Sequence, residues 1–129
     1  MLKLNITPRF CELDGLGHIN NAVFLEWFEQ ARIPIFKIFT PDLAIEKWRL
    51  IIARNEIDYL HPVKIDDRVF IHTVISKLGK SSMTIEHICF ANDIKAAKGS
   101  SVMIHYDYKL KKSQPIEDQE RQLLSAYLI

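Results

Sequence analysis

Phe24, Phe28, Ala31, Ile35 and Phe39 recur at steps of four, three, four and four, a spacing that lays one continuous apolar stripe along a helix. Val23, Leu25, Trp27, Ile33 and Ile38 widen the stripe until Ala22 to Phe39 is apolar nearly all round, with Glu26, Glu29, Gln30 and Lys37 marking its one exposed edge. A helix of this kind is largely enclosed, so the rest of the chain has to supply the surface that covers it. Pro34 falls late in the pattern and predicts a kink or a division into two pieces, because proline removes a backbone donor and clashes with the preceding turn. Thr40-Pro41-Asp42 reads as a stop followed by a short helical turn.

The remaining segments read as strands. Leu2 to Phe10 opens the chain, and Trp48 to Tyr59, Arg68 to Leu78, Met83 to Ala91 and Ala97 to Leu110 follow, with period-2 alternation or β-branched content in Val69 to Val74 and Met83 to Phe90. Gly79-Lys80 and Asn92-Asp93 supply hairpin turns. Ile116 to Leu128 reads as a short amphipathic helix with Leu123, Leu124, Tyr127 and Leu128 inward. The expectation is an α+β domain spanning residues 1–129: a curved antiparallel sheet of about five strands wrapped around one long N-terminal helix. One helix leaves part of such a sheet uncovered, and pairing of edges between copies would protect it, so a homodimer or homotetramer is expected.

The chemistry-bearing residues precede the helix. Asp14-Gly15-Leu16-Gly17-His18-Ile19-Asn20-Asn21 sets a carboxylate, an imidazole and two amides ahead of Ala22. A helix N-terminus presents unpaired N–H groups and a partial positive charge, which suit a carbonyl oxygen becoming an oxyanion. Asp14, ionised near neutral pH at an ordinary aspartate pKa of about 3.9, supplies a base or nucleophile. One short segment thus offers both halves of an acyl-transfer site.

Composition narrows the alternatives. Lys plus Arg number 17 against 16 Asp plus Glu, which gives no field to attract nucleic acid or an anionic membrane. The opening Met-Leu-Lys-Leu-Asn-Ile-Thr-Pro has no apolar signal core, and charges interrupt the helical stretch, so no membrane insertion and a cytoplasmic location are expected. Cys11 and Cys89 read as reduced, buried thiols. His18, His61, His72, His87 and His105 never fall into zinc-ligand spacing, so no metal is expected. A Gly-x-Ser-x-Gly elbow and a phosphate-binding loop are both absent.

Asp14, Gly17, His18, Asn20 and Asn21 fit the motif Asp-x-x-x-His-x-Asn-Asn, Glu29-Gln30-Ala31-Arg32 fits Glu-x-Ala-Arg, and Ile57 to Val63 fits the strand that follows. Over nearly its whole length the chain resembles the hotdog-fold acyl-CoA thioesterases of the 4-hydroxybenzoyl-CoA thioesterase type. The resemblance implies hydrolysis of an acyl-CoA or acyl-carrier-protein thioester, with coenzyme A entering only as part of the substrate and no other cofactor. It implies Asp14 as nucleophile or general base, and backbone N–H groups near Asn20, Asn21 and Ala22 polarising the carbonyl. It also implies a site at a dimer interface, with the acyl chain beneath the helix. The related plant acyl-carrier-protein thioesterases carry an asparagine two residues after the aspartate and a downstream glutamate; Leu16 and, on an approximate alignment, Pro62 stand there in this chain. Other hotdog thioesterases place the carboxylate on the helix, which makes Glu26 a rival to Asp14.

Each residue also has a plainer role. Asp14-Gly15 is an ordinary turn dipeptide. His18 is either a catalytic partner or a turn histidine, one of Asn20 and Asn21 is a helix cap, and Glu29 with Arg32 reads as a structural pair. Lys109, Lys111 and Lys112 read as solvated charge rather than as phosphate ligands. Two other functions share the fold: a dehydratase or hydratase pairing Asp14 with His18, and a noncatalytic acyl-thioester binder.

Overall fold

In the computed structural model, which describes residues 1–129, the apolar stripe forms helix in two pieces, α1 (Val23–Ala31) and α2 (Ile33–Phe39), divided at Arg32. The single long helix is therefore replaced by a broken one. Pro34 is the second residue of α2, where its missing N–H would have had no intrahelical partner, so the chain restarts the helix around it.

Five long strands, β1 (Leu2–Ile6), β2 (Leu50–Tyr59), β3 (Val69–Leu78), β4 (Ser82–Ala91) and β5 (Ile94–Asp107), pair in the antiparallel order β1-β3-β4-β5-β2, and a two-residue β6 (Lys112–Ser113) pairs with the end of β5. Asn92 and Asp93 take left-handed φ values of 50° and 66°, the conformation whose twist matches a β4–β5 hairpin. Register shifts at Ile52/Arg54, Ile75/Lys77 and Cys89/Phe90 bend the sheet, which curls into a half-barrel around the helices, the hotdog arrangement. The edges of this sheet are β1 and β2.

Three expectations need correction. The first strand stops at Ile6, because Pro8 has no N–H for the ladder, and Phe10 instead enters a 3-10 turn with its side chain 83 % exposed. In the C-terminal helix α3 (Asp118–Leu124), Leu124 is buried but Leu123 faces solvent, and Leu128 beyond it is also exposed, its backbone pairing with Ile75. Cys11 is exposed, whereas Cys89 is buried among apolar side chains that push its thiol pKa up to about 12; both are unpaired thiols.

The core divides into two apolar clusters, one around α1 with Phe24, Phe28, Ile71 and Cys89, the other around α2 with Ile35, Phe39, Ile75 and Ile85. Between them runs a buried polar row. Thr73 lies between Ile71 and Ile75 on β3, His87 between Ile85 and Cys89 on β4, and Ser101 between Gly99 and Met103 on β5, all facing inward by the strand alternation. Phe28 is stacked on His87 with centroids 4.8 Å apart, and it passes so close to Gly99 that a Cβ there would stand 2.4 Å from Phe28 Cε2.

Candidate active site

The Asp14–Asn21 loop is built by backbone pairing. Leu13 and Ile19 form an isolated antiparallel bridge, Asp14 N–H donates to the His18 carbonyl at 2.7 Å, and Ile19 N–H donates to the Val63 carbonyl at 2.8 Å. Gly17 closes the turn at φ 81°, a left-handed value that favours glycine. Asp14 Oδ1 accepts two backbone N–H groups, from Leu16 at 2.8 Å and His18 at 3.1 Å, while Oδ2 meets no donor of the chain. The His18 and Leu16 N–H groups hold the Asp14 carboxyl below the usual carboxylate range, with the His18 charge adding to the effect. The turn role and an ionised, half-free carboxylate therefore coexist in one side chain.

His18 contributes its backbone to this turn, and its ring makes no hydrogen bond within the chain. Asn20 closes the turn that leads into α1: its Oδ1 accepts the Ala22 N–H at 2.9 Å, and its carbonyl accepts the Val23 N–H at 3.0 Å. Asn20 N–H is itself spent on the Glu12 carbonyl at 2.9 Å. Of the three N–H groups at Asn20, Asn21 and Ala22, the Asn21 N–H alone has no acceptor in the chain. Glu26, the rival carboxylate, projects from the exposed side of the first turn of α1 and makes no hydrogen bond or ion pair.

Two side chains that hold this loop escaped the sequence reading. Glu12 is buried, taking the Arg9 N–H on Oε1 at 2.7 Å and the Trp27 Nε1–H on Oε2 at 3.0 Å, so it fastens the loop to α1. Tyr59, at the end of β2, donates its hydroxyl to the Asn21 carbonyl at 2.8 Å and fixes the helix start to the sheet. Neither residue stands at a telling spacing in the sequence.

Arg32 also departs from expectation. It forms no ion pair with Glu29; the break between α1 and α2 turns it inward, where it is 4 % exposed and reaches the polar row. Its Nη1 donates to Ser101 Oγ at 2.9 Å and lies 3.3 Å from His87 Nε2. Guanidinium can only donate, so Nε2 is the acceptor and the His87 proton sits on Nδ1, which then donates to Thr73 Oγ1 at 2.9 Å. Burial, with the Arg32 charge beside it, pushes the His87 pKa down to about 3 and keeps the ring neutral. Ser101 Oγ passes the chain on to Asn55 Oδ1 on β2 at 2.7 Å. The alternation Met83, Ile85, His87, Cys89 was the available signal that His87 points inward.

Beside this row, a cavity of about 530 Å³ runs between the helices and the β2 edge, from Leu25 near the start of α1 past Arg32 and Asn55 to Phe36, Trp48 and Met103. Two-thirds of its lining is apolar, as 8 of 12 residues, which suits a hydrocarbon more than a coenzyme.

The curled antiparallel sheet around the divided helix α1–α2 is the hotdog arrangement, with the Asp14 loop at the helix start. The thioesterase-like superfamily profile matches residues 8–124, and the chain belongs to that family. It is 38 % identical to a predicted thioesterase from Bacillus stearothermophilus, over 99 % of this chain and 96 % of that one, with a TM-score of 0.97. A thioesterase from Thermus thermophilus, solved in complex with coenzyme A and zinc, is 37 % identical over 98 % of this chain and 92 % of its own, with a TM-score of 0.88. The uncharacterized protein YsmA of Bacillus subtilis strain 168 is 27 % identical over 127 residues, 92 % of this chain and 82 % of that protein. No helix is long and apolar enough to cross a membrane.

Proposed function

We propose that the protein hydrolyses acyl-CoA thioesters to a carboxylic acid and free coenzyme A, with Asp14 as the base or nucleophile. The observation that carries this reading is the state of Asp14: Oδ1 is held by two N–H groups, Oδ2 is unspent, and the carboxylate precedes a helix start whose Asn21 N–H has no acceptor. In the general-base route Oδ2 takes a proton from water as the water oxygen bonds the carbonyl carbon, and the carbonyl oxygen becomes an oxyanion facing the Asn21 N–H. Collapse breaks the C–S bond, and the thiolate leaves and takes up the proton. In the nucleophilic route Oδ2 itself bonds the carbonyl carbon, the thiolate departs, and water cleaves the resulting anhydride. The coenzyme A complex of the Thermus relative supports coenzyme A over acyl carrier protein as the thiol carrier. His18 meets Asp14 through its backbone rather than its ring, which favours hydrolysis over hydration.

We place the acyl chain in the cavity along α1, and we expect two copies to pair through their free β2 edges, which would close that cavity. The unpaired thiols of Cys11 and Cys89 fit a reducing cytoplasm. The test is thiol release from short, medium, long and benzoyl-type acyl-CoAs by wild type and Asp14→Asn. Loss of about 10²- to 10⁴-fold in the variant, with folding intact, is expected. Near-normal turnover by Asp14→Asn would refute the assignment.

A further inference from the structure

Arg32 is a buried cation with no carboxylate partner, and its unsatisfied atoms lie along one side of the guanidinium. Nη1 is used by Ser101 and His87, whereas Nε is fully enclosed with no acceptor and Nη2 makes no hydrogen bond. Nε–H and Nη2–H point the same way and together form the edge that grips a carboxylate through two parallel bonds. Arg32 lines the apolar cavity, and Asn55 beside it has spent only its Oδ1 on Ser101, leaving its amide N–H groups available. Glu26 and Glu29, on the exposed face of α1, also line the cavity; neither pairs with Arg32, although the Glu29 charge acts on the guanidinium from beyond ion-pair distance and partly offsets the burial that lowers the Arg32 pKa.

We propose that this cavity selects acyl thioesters whose acyl chain ends in a second carboxylate, held by the Nε/Nη2 edge of Arg32 with Asn55 assisting. The inference rests on the hydrolase reading above for its thioester, but not for its carboxylate site. Arg32 lies ten residues beyond Ala22, about 15 Å along the helix, so a medium-length chain entering at the helix start and running beneath α1 brings its far end to the guanidinium. A methyl-ended chain of the same length leaves the cation enclosed and unpaired, and a short diacid does not reach it.

The experiment compares kcat/KM for matched pairs, succinyl- with butyryl-CoA, adipyl- with hexanoyl-CoA, suberyl- with octanoyl-CoA and dodecanedioyl- with dodecanoyl-CoA. In parallel, free suberate and octanoate are tested as thermal stabilisers of the wild type, Arg32→Met and Asn55→Leu. The wild type is expected to favour one medium-length diacid over its methyl-ended match by about 10- to 100-fold. Arg32→Met should lose that preference, cutting kcat/KM for the diacid about 10-fold or more beyond any loss on its methyl-ended match. Suberate should raise the Tm of the wild type and not that of Arg32→Met. A wild-type preference for the methyl-ended member of every pair overturns the proposal, and so does equal loss on both members in Arg32→Met. Should Arg32→Met not fold, the wild-type pairs and Asn55→Leu decide: a diacid preference weakened by Asn55→Leu supports the site, and one unchanged by it overturns the proposal. If no thioester is cleaved but suberate stabilises only proteins that retain Arg32, the hydrolase reading fails and the site stands. Cleavage without preference and without Arg32-dependent stabilisation keeps the hydrolase and removes the site.

Discussion

Replacing Gly99 by alanine tests the packing that holds α1 in the sheet. The added Cβ would stand 2.4 Å from Phe28 Cε2 and 2.8 Å from Cδ2, and also 3.4 Å from the Glu56 carbonyl oxygen. Phe28 has little room to retreat: it is 1 % exposed and lies nearly parallel to the His87 ring, 9° between planes. His87 in turn is pinned by Thr73 and Arg32. Overpacking of a tight site costs about 1–3 kcal/mol, and the rigidity here places Gly99→Ala in the upper half, about 2–3 kcal/mol. For a chain of this length each 1 kcal/mol lowers Tm by about 3–5 °C. The decisive assay is a urea-unfolding cycle with Phe28→Leu. That variant opens a void by itself, yet should restore about 1–2 kcal/mol in the Gly99→Ala background by making room for the methyl. A Gly99→Ala protein within about 0.5 kcal/mol of wild type, or strictly additive losses, would refute the close-packing argument.

Other outcomes follow from the loop and the polar row. Because backbone N–H groups hold the Asp14 carboxyl below its ordinary range, the acid limb of kcat/KM should lie below about pH 4, with a flat profile above it; a limb near pH 6 would point to a different base. The folded-state His87 pKa, near 3, is depressed from the ordinary 6.5, so the unfolded chain binds the extra proton between those values. Stability should be fully present above about pH 6.5 and fall as pH drops toward 3, a slope that His87→Gln should flatten in Tm measured from pH 7 to 4. Glu12→Gln keeps an acceptor for Trp27 but weakens two charge-assisted bonds, so it should lower kcat severalfold while leaving acyl-chain preference unchanged; an altered preference would contradict a role confined to the loop. Tyr59→Phe releases the Asn21 carbonyl, and amide exchange at Ala22 and Val23 should quicken by comparison with wild type if that bond steadies the helix start.

What could be read from the chain was periodic or local. The apolar stripe announced the helix, Pro34 its division, Asn92-Asp93 the hairpin, and Asp14 with Gly17 the turn, because each is a property of a few neighbouring residues. The failures concern side chains whose environment is assembled from distant segments. Glu29 and Arg32 have the spacing of a helix ion pair, and although Pro34 signals a division, nothing nearby reveals that Arg32 turns inward or that His87 and Ser101 wait beneath it. Leu123 fits an inward stripe over Ile116 to Leu128, but α3 is only seven residues long and contacts the core chiefly through Leu124. That one of Asn20 and Asn21 serves the helix start was legible, whereas which of the two does so, and the narrowing of the free donors to Asn21, depends on Glu12, whose inward position no local pattern reports.

The row Thr73–His87–Arg32–Ser101 also bears on how the sheet finds its alignment. Three neighbouring strands each offer a polar side chain to the row on a largely apolar inward face, and in the observed register Thr73 stands opposite His87 while Ser101 is offset by two residues, opposite Ile85, with Arg32 reaching both His87 and Ser101. Hydrocarbon alone tolerates a shift of two residues, since the inward face is preserved. Here a two-residue shift of β3 against β4 would set the His87 imidazole opposite Ile71 or Ile75 in place of Thr73, and a buried polar group without its partner costs about 1–3 kcal/mol. The row acts as a key with one lock, excluding the misaligned sheets that the apolar side chains by themselves would accept.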